Sequence, residues 1–75
     1  MNNWNMGQEL RKILAINIIK LREENKINRE ELSLVLGFDN SYISKLEKCK
    51  VNITIDKIEK IAKYFNVLPY LLFVS

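Results

Sequence analysis

The residues of this chain that could do chemistry carry hydrogen-bonding and cationic groups, and many of them lie between positions 28 and 52. Asn40, Ser41 and Lys45 fall close together and offer an amide, a hydroxyl and an ammonium group, which suit non-covalent recognition. The sequence has no histidine and no glycine-rich phosphate loop, and its single cysteine, Cys49, has no neighbouring base. The residue types therefore indicate binding and argue against an enzyme.

A capping box opens the first of two short helices that would position these side chains. Asn28 is a preferred N-cap residue, and Glu31 three positions later can satisfy the backbone in return. Leu32, Val35 and Leu36 follow at helical spacing, which indicates one inward-facing stripe. We therefore predict a helix that begins after Asn28 and buries these three apolar side chains.

A tight turn and a second helix should follow. Gly37 stands where the chain must reverse, in a left-handed conformation that glycine adopts without steric penalty. Asp39 is predicted to cap the second helix, whose Ile43 and Leu46 point back at the first. Ser33 is small enough to let the helices cross closely, and its hydroxyl can bond back to the preceding turn. These offsets form the pattern of a helix-turn-helix.

The hexapeptide Tyr-Ile-Ser-Lys-Leu-Glu at 42–47, with Arg22 before it and Thr54-Ile55 after it, resembles the lambda-repressor-like (Cro/Xre-type) DNA-binding domains. This resemblance covers roughly residues 10–73. Positions 52–55 also resemble the small controller proteins of restriction-modification systems. The resemblance implies an all-α fold, a compact five-helix domain in which helices 2 and 3 form the helix-turn-helix.

The resemblance also implies roles in DNA binding, because the second helix of this motif enters the major groove. Asn40, Ser41 and Lys45 would contact base edges, with an ordinary solvated face as the alternative reading of these residues. Phosphates would be bound from both ends of the unit, by Arg29, Tyr42, Ser44, Lys48, Lys50 and Asn52. Tyr42 could pack in the core as readily as it could reach a phosphate.

An ion pair and a loop complete what the resemblance implies. Arg22 and Glu47 occupy the positions of an arginine and a glutamate that pair in the family, and such a pair would fix the angle between two helices. Two unpaired surface charges are the alternative. Cys49 replaces a frequent glycine, so the loop that carries Lys48 and Lys50 could follow a different course.

The first helix is predicted from residue 7 or 8 to about residue 25. Its core seam consists of apolar residues at helical spacing, namely Leu10, Leu14, Ile18 and Leu21. The apolar face is widened by Ile13, Ile16 and Ile19, which fits a deeply buried helix, as we expect, or a second contact surface. Residues 1–6 are polar and expected to be frayed, with Trp4 either free or folded back on the domain.

Two further helices are predicted after residue 53. Thr54 should cap the fourth helix, which carries Asp56 in its first turn and ends near Asn66. Its buried stripe is predicted as Ile55, Ile58, Ile61, Ala62 and Phe65. Pro69 suits the first turn of a short fifth helix, and Leu72 is expected in the core. A two-fold partner is expected to contact Leu68, Tyr70, Leu71, Phe73 and Val74.

Length and composition restrict the class of protein further. A chain of 75 residues makes one domain, residues 1–75, and the lone Cys49 allows no internal disulfide. Neither a metal site nor a cofactor is expected. The formal charge of +3 is mild, so the placement of the basic residues matters more than their sum. We find no signal peptide and no membrane span in the sequence and expect a cytoplasmic protein.

These features together predict a sequence-specific DNA-binding transcriptional regulator. It would bind double-stranded DNA at a palindromic operator as a homodimer, because one motif of this size contacts too few base pairs to find a site. We expect it to be autoregulatory and controller-like, with no small-molecule ligand. The alternative is a protein-interaction module of the same fold, an antitoxin or assembly domain, whose binding would depend less on salt concentration.

Overall fold

Five helices make up the regular structure of residues 6–75, the part of the chain that the computed structural model describes, with side chains described from Glu9 onward. They are α1 (Met6–Glu24), α2 (Arg29–Val35), α3 (Tyr42–Glu47), α4 (Ile55–Phe65) and the 3-10 helix η1 (Pro69–Phe73). No strand occurs in this range. The predicted all-α, five-helix fold is confirmed. Of residues 1–6, which we predicted to be frayed, Met6 is instead the first residue of α1, and the predictions for Trp4 and the others lie outside the described residues.

The core lies where all five helices meet, and it contains most of the predicted apolar seam. Its buried members are Leu14, Ile18, Leu32, Leu36, Ile43, Leu46, Ile61, Ala62 and Leu72. Leu72 is fully buried, as predicted, and joins η1 to the other helices. None of the described helices combines the length with the hydrophobicity that crossing a membrane requires.

Four residues that we predicted to be buried are exposed, and each lies at the edge of its apolar stripe. Val35 is 59% exposed because α2 turns the side that carries Leu32 and Ser33 toward the core. Ile55 is 72% exposed because it is the first residue of α4 and lies beyond the helix's contact with the core. Leu10 and Ile16 are also exposed, since α1 is about 28 Å long and has more apolar faces than the domain covers.

Every α-helix ends in the same hydrogen-bonded motif. In each, one residue adopts the left-handed conformation, and it and its successor donate backbone N–H groups to two carbonyls in the last turn. The left-handed residues are Lys26, Gly37, Cys49 and Asn66. Gly37 (φ 77°) is the only glycine among them. A side chain would fit there, because a Cβ would meet only the Lys60 Nζ at 3.5 Å. Glycine is favoured at this position because of its left-handed backbone conformation.

The helices begin with caps that are local for α2 and α4 but tertiary for α3. Asn28 and Glu31 form the predicted capping box, and the Thr54 hydroxyl accepts the Lys57 N–H at 3.2 Å. In contrast, α3 has no side-chain cap of its own. The fully buried Ser33 hydroxyl on α2 accepts the Ile43 N–H at 3.0 Å and donates to the Arg29 carbonyl at 2.9 Å. The hydroxyl of Ser33, on α2, therefore caps the first turn of α3.

Replacing Ser33 by alanine should measure how much this hydrogen bond contributes to stability. The buried Ile43 N–H would lose its acceptor, and an unsatisfied buried donor costs about 1–3 kcal/mol. We expect Ser33→Ala to lower the free energy of unfolding, measured by urea titration, by that amount. The control is Ser44→Ala, which removes a hydroxyl from α3 without touching the acceptor of the Ile43 N–H. Equal stability of the two variants would contradict the cross-helix cap.

Cys49 should be replaceable by glycine with a gain in stability. Its φ of 62° is left-handed, which costs an L-residue about 1–2 kcal/mol that glycine avoids. Glycine's greater freedom in the unfolded chain offsets part of this gain, so we expect Cys49→Gly to raise the free energy of unfolding by about 0.5–1 kcal/mol. Lys48→Gly is the matched control. Because Lys48 has a φ of −92°, which any L-residue adopts, glycine there should lower the free energy of unfolding. A loss of stability in both variants would refute the argument.

Candidate nucleic-acid interface

The Glu47 carboxylate joins the three helices that build the candidate interface. Arg22 of α1 donates from Nε to Glu47 Oε2 at 2.8 Å and from Nη1 to the Ile27 carbonyl at 3.3 Å. Arg29, at the start of α2, donates from Nε to Glu47 Oε1, also at 2.8 Å. The Glu47 side chain is only 4% exposed and that of Arg22 10%. The predicted ion pair is present, and it has a second arginine that we did not predict.

The outward face of α3 is formed by the residues between its buried anchors. Ile43 and Leu46 are buried against α2 and α1, which leaves Lys45 exposed on the other side. Asn40 is exposed just before the helix, and Ser41 is half-buried at its N-cap position. The three predicted base-contacting residues therefore extend from the turn before α3 to Lys45 in its last turn. Their contact with bases stays a prediction.

Asp39 does not cap α3 in the predicted way. Its Oδ2 accepts the backbone N–H of Ser41 at 3.3 Å and the Ser41 hydroxyl at 2.6 Å, which closes a local turn before the helix. These hydrogen bonds hold the pKa of Asp39 below its usual range. The hydroxyl proton of Ser41 is thus directed at Asp39, so in this conformation Ser41 can offer a base only its acceptor lone pairs.

Tyr42 is held in the domain and does not present its hydroxyl to a phosphate. The hydroxyl is buried without a hydrogen-bond partner, and burial raises the pKa of the phenol. Its ring packs edge-on against Phe38, with centroids 5.0 Å apart, and the Lys57 Nζ lies 4.5 Å from the ring centroid. The predicted phosphate role of Tyr42 is therefore wrong for this conformation, and the alternative of core packing describes the side chain.

The remaining predicted phosphate ligands come from the start of α2 and from α3 and the loop after it. Arg29 has a side chain 55% exposed and is bound through Nε to Glu47, the last residue of α3. Ser44 within α3 is half-buried, and the exposed residues after it are Lys48, Lys50 and Asn52. Cationic groups from two segments therefore lie near the C-terminal end of α3, and such groups commonly contact the DNA backbone.

The loop after α3 is fixed by an arginine that sequence reasoning missed. Arg11 of α1 donates from Nε to the Val51 carbonyl at 3.2 Å and from Nη2 to the Asn52 side chain. Beside these contacts the loop lines an open pocket of about 280 Å³ together with residues of the surrounding helices. Cys49 adopts the left-handed conformation in which glycine is favoured, so the substitution does not prevent this backbone conformation.

The C-terminal segment carries an exposed apolar surface. It consists of four residues, Leu68, Tyr70, Leu71 and Val74, of which Tyr70 is the most exposed at 64%. Phe73, which we grouped with them, is half-buried and packs on the core. Asn17 of α1 donates from Nδ2 to the Leu72 carbonyl at 2.7 Å and to the Val74 carbonyl at 3.0 Å. The sequence showed Asn17 only as an interruption of an apolar run.

The fold and the site together define a class of protein, one in which a short helix is presented outward by a helix-turn-helix. A model of the helix-turn-helix family, HTH_3, matches residues 18–72 of this chain. The chain therefore belongs to the helix-turn-helix family of Cro/Xre type, a family of DNA-binding transcription regulators.

Individual relatives carry names of the same kind. A protein of Neisseria meningitidis serogroup B, named Neisseria hypothetical transcription factor, is 36% identical over 63 residues, which are 84% of this chain and 59% of that protein. Control protein C.SmaI of Serratia marcescens is 31% identical over 65 residues, 85% of this chain and 77% of that protein. The chain thus spans about three-fifths of the Neisseria relative and three-quarters of the Serratia one.

A solved structure shows the same arrangement of helices. The crystal structure of the hypothetical transcription factor NHTF from Neisseria superposes with a TM-score of 0.86 at 35% sequence identity. The match covers 92% of this chain and 79% of the other chain. The similarity therefore extends through nearly all of the described helices.

The two arginines that share Glu47 should differ sharply in their importance for stability. Arg22→Ala removes the buried partner and should cost about 3 kcal/mol, the lower end for a broken buried pair because Arg29 still contacts the carboxylate. Arg29→Ala removes the exposed partner and should cost less than about 1 kcal/mol. Urea unfolding of both variants measures the difference. A cost of Arg29→Ala equal to that of Arg22→Ala would contradict this ranking.

Proposed function

We propose that this protein is a sequence-specific DNA-binding transcriptional regulator that binds a palindromic operator as a homodimer. The observation that supports this most directly is the outward face of α3. Ile43 and Leu46 anchor the helix, while Asn40 and Lys45 are exposed on the side that the domain leaves uncovered. An amide can pair bidentately with adenine, and an ammonium group can reach guanine N7 or O6. Base contact thus requires no rearrangement of the fold.

Backbone phosphates position such a helix, and we assign them to two cationic segments. Arg29 lies at the start of α2 and Lys48 and Lys50 follow α3, with Ser44 and Asn52 as neutral donors. Phosphate contacts hold the register on the duplex without carrying sequence information. The affinity should therefore fall steeply with salt concentration, with a slope of about −0.9 for each phosphate neutralised.

A homodimer explains the exposed apolar surface near the C terminus. The surface consists of Leu68, Tyr70, Leu71 and Val74, in and beside η1, and the described residues leave it exposed. A two-fold axis through such a surface would pair two copies and place two α3 helices about one DNA turn, ~34 Å, apart. We therefore assign this surface to the dimer contact, with Phe73 supporting it from the core side.

Control of its own gene is the regulatory role that we propose. The relative named Control protein C.SmaI and the resemblance of residues 52–55 to controller proteins of restriction-modification systems both favour it. A regulator that occupies adjacent palindromic sites as dimers can respond to its own concentration, because dimerisation makes occupancy depend steeply on it. No effector ligand is needed for this response.

Selection of bound sequences from a random duplex pool tests the proposal. We expect a palindrome whose half-sites lie about one helical turn apart, bound with an affinity that falls steeply with salt. If the protein instead served as an antitoxin or assembly domain, the pool would yield no enriched sequence. Enrichment of a single half-site would contradict the dimer but leave DNA reading in place.

Replacing Lys45 and replacing Lys50 should change DNA binding in different ways, one altering sequence preference and the other only overall affinity. Lys45→Ala should weaken specific binding by roughly 1–3 kcal/mol and relax one operator position. Lys50→Ala should weaken binding to all sequences alike, because a phosphate contact carries no base information. Repeating the selection with each variant measures both effects. An unchanged preference with Lys45→Ala, or a sequence-selective loss with Lys50→Ala, would remove that residue from its role.

Leu71→Glu should disrupt the dimer, because it places a charge in the centre of the proposed apolar contact. Sedimentation velocity over a concentration series measures the change, and we expect a monomer where the unmodified protein is dimeric. Leu34→Glu is the matched control, since Leu34 of α2 is also an exposed leucine, 59% exposed against 43% for Leu71. A dimer that survives Leu71→Glu, or that is lost equally in the control, would place the interface elsewhere.

A further inference from the structure

Arg29 is held in place before any partner arrives. Its Nε donates to Glu47 Oε1 at 2.8 Å, although the side chain as a whole is 55% exposed. An exposed arginine ordinarily samples many rotamers, whose loss on binding reduces affinity. Here the rotamer is selected by a carboxylate that is itself 4% exposed and fixed by Arg22. We call the hydrogen bond from Arg29 Nε to Glu47 the tether of Arg29, and its acceptor is a buried, fixed group of the domain.

The tether uses one of the five N–H donors of the guanidinium group and leaves those on Nη1 and Nη2. These form a planar fork whose spacing matches two oxygens of a phosphate. Since Glu47 engages only the Nε donor, the N–H groups of Nη1 and Nη2 have no hydrogen bond among the described residues. The side chain is thus both anchored and available for a second, bidentate contact.

The charges of the cluster also favour an anion at that position. One carboxylate, Glu47, lies between two guanidinium groups, those of Arg22 and Arg29, so the three side chains carry a net charge of +1. An anion beyond Arg29 would extend the row as positive, negative, positive and negative in alternation. The electrostatic energy of four alternating charges in a row is lower than that of two isolated ion pairs, because each inner charge has two neighbours of opposite sign.

We propose that Glu47 is a positioning residue for DNA binding: besides tying α3 to α1, it presents the Arg29 fork to one backbone phosphate in each half-site. This inference deepens the proposed function and rests on it. The phosphate role of Arg29 alone would need only its charge. The contact with Glu47 adds preorganisation, which should make binding about 2- to 10-fold tighter, as expected for one long side chain immobilised in advance.

A double-mutant cycle on operator affinity tests the role of Glu47. Glu47→Gln and Arg29→Ala are made singly and together, and each is measured by fluorescence anisotropy over a range of salt concentrations, at a temperature where its circular dichroism shows it folded. We expect Glu47→Gln to weaken binding about 2- to 10-fold when Arg29 is present and to have no effect when Arg29 is already alanine. Arg29→Ala itself should reduce the salt slope by about 0.9 per half-site.

Two outcomes would overturn the inference while leaving the proposed function intact. If Glu47→Gln weakens binding equally in both backgrounds, its effect comes through the pair with Arg22 and the fold. If Glu47→Gln tightens binding and steepens the salt slope, Glu47 competes with the phosphate for Arg29. A failure of the unmodified protein to select any duplex would overturn the proposed function as well.

Arg29→Lys provides an arm that does not disturb the buried pair. Lysine keeps the charge, so the salt slope should equal that of the unmodified protein. A single ammonium group cannot hold Glu47 and also present a planar fork, so we expect affinity to fall by about 2- to 10-fold. Unmodified affinity in this variant would show that charge alone suffices, and Glu47 would then have no positioning role.

Discussion

The structure depends on a carboxylate at the junction of three helices. Glu47 ends α3, and its side chain is almost completely buried between Arg22 of α1 and Arg29 of α2. Burying a charge is unfavourable unless partners satisfy it with good geometry, so the helices must lie where both arginines can reach. The contact therefore specifies the angle between α3 and its neighbours more than it adds to stability. That angle decides which side of α3 faces outward.

Short helices need this kind of support from outside. With six residues, α3 is far too short to be stable alone, and its first turn has no cap of its own. The Ser33 hydroxyl supplies an acceptor from α2, and Ile43 and Leu46 supply apolar contacts. The formation of α3 thus depends on contacts with its neighbours, and the same packing leaves Lys45 and Asn40 exposed.

Local signals in the sequence were sufficient for the elements themselves. The capping box at Asn28, the cap at Thr54 and the turn at Gly37 each involve residues close together in the sequence. A short stretch of sequence is therefore enough to predict each of them. The family pattern added the pair of Arg22 with Glu47, which no local rule provides because 25 positions separate the two residues.

The sequence by itself determined the five helices, most of the core and the polar composition of the α3 face. Only the tertiary structure decided that Arg29 shares Glu47, that Tyr42 turns its hydroxyl inward, that Asn17 holds the C-terminal segment and that Val35 is exposed. Each of these depends on the rotation of one helix about its axis relative to another. Periodicity shows that a helix has an apolar side, but the contacts of distant residues fix where that side ends.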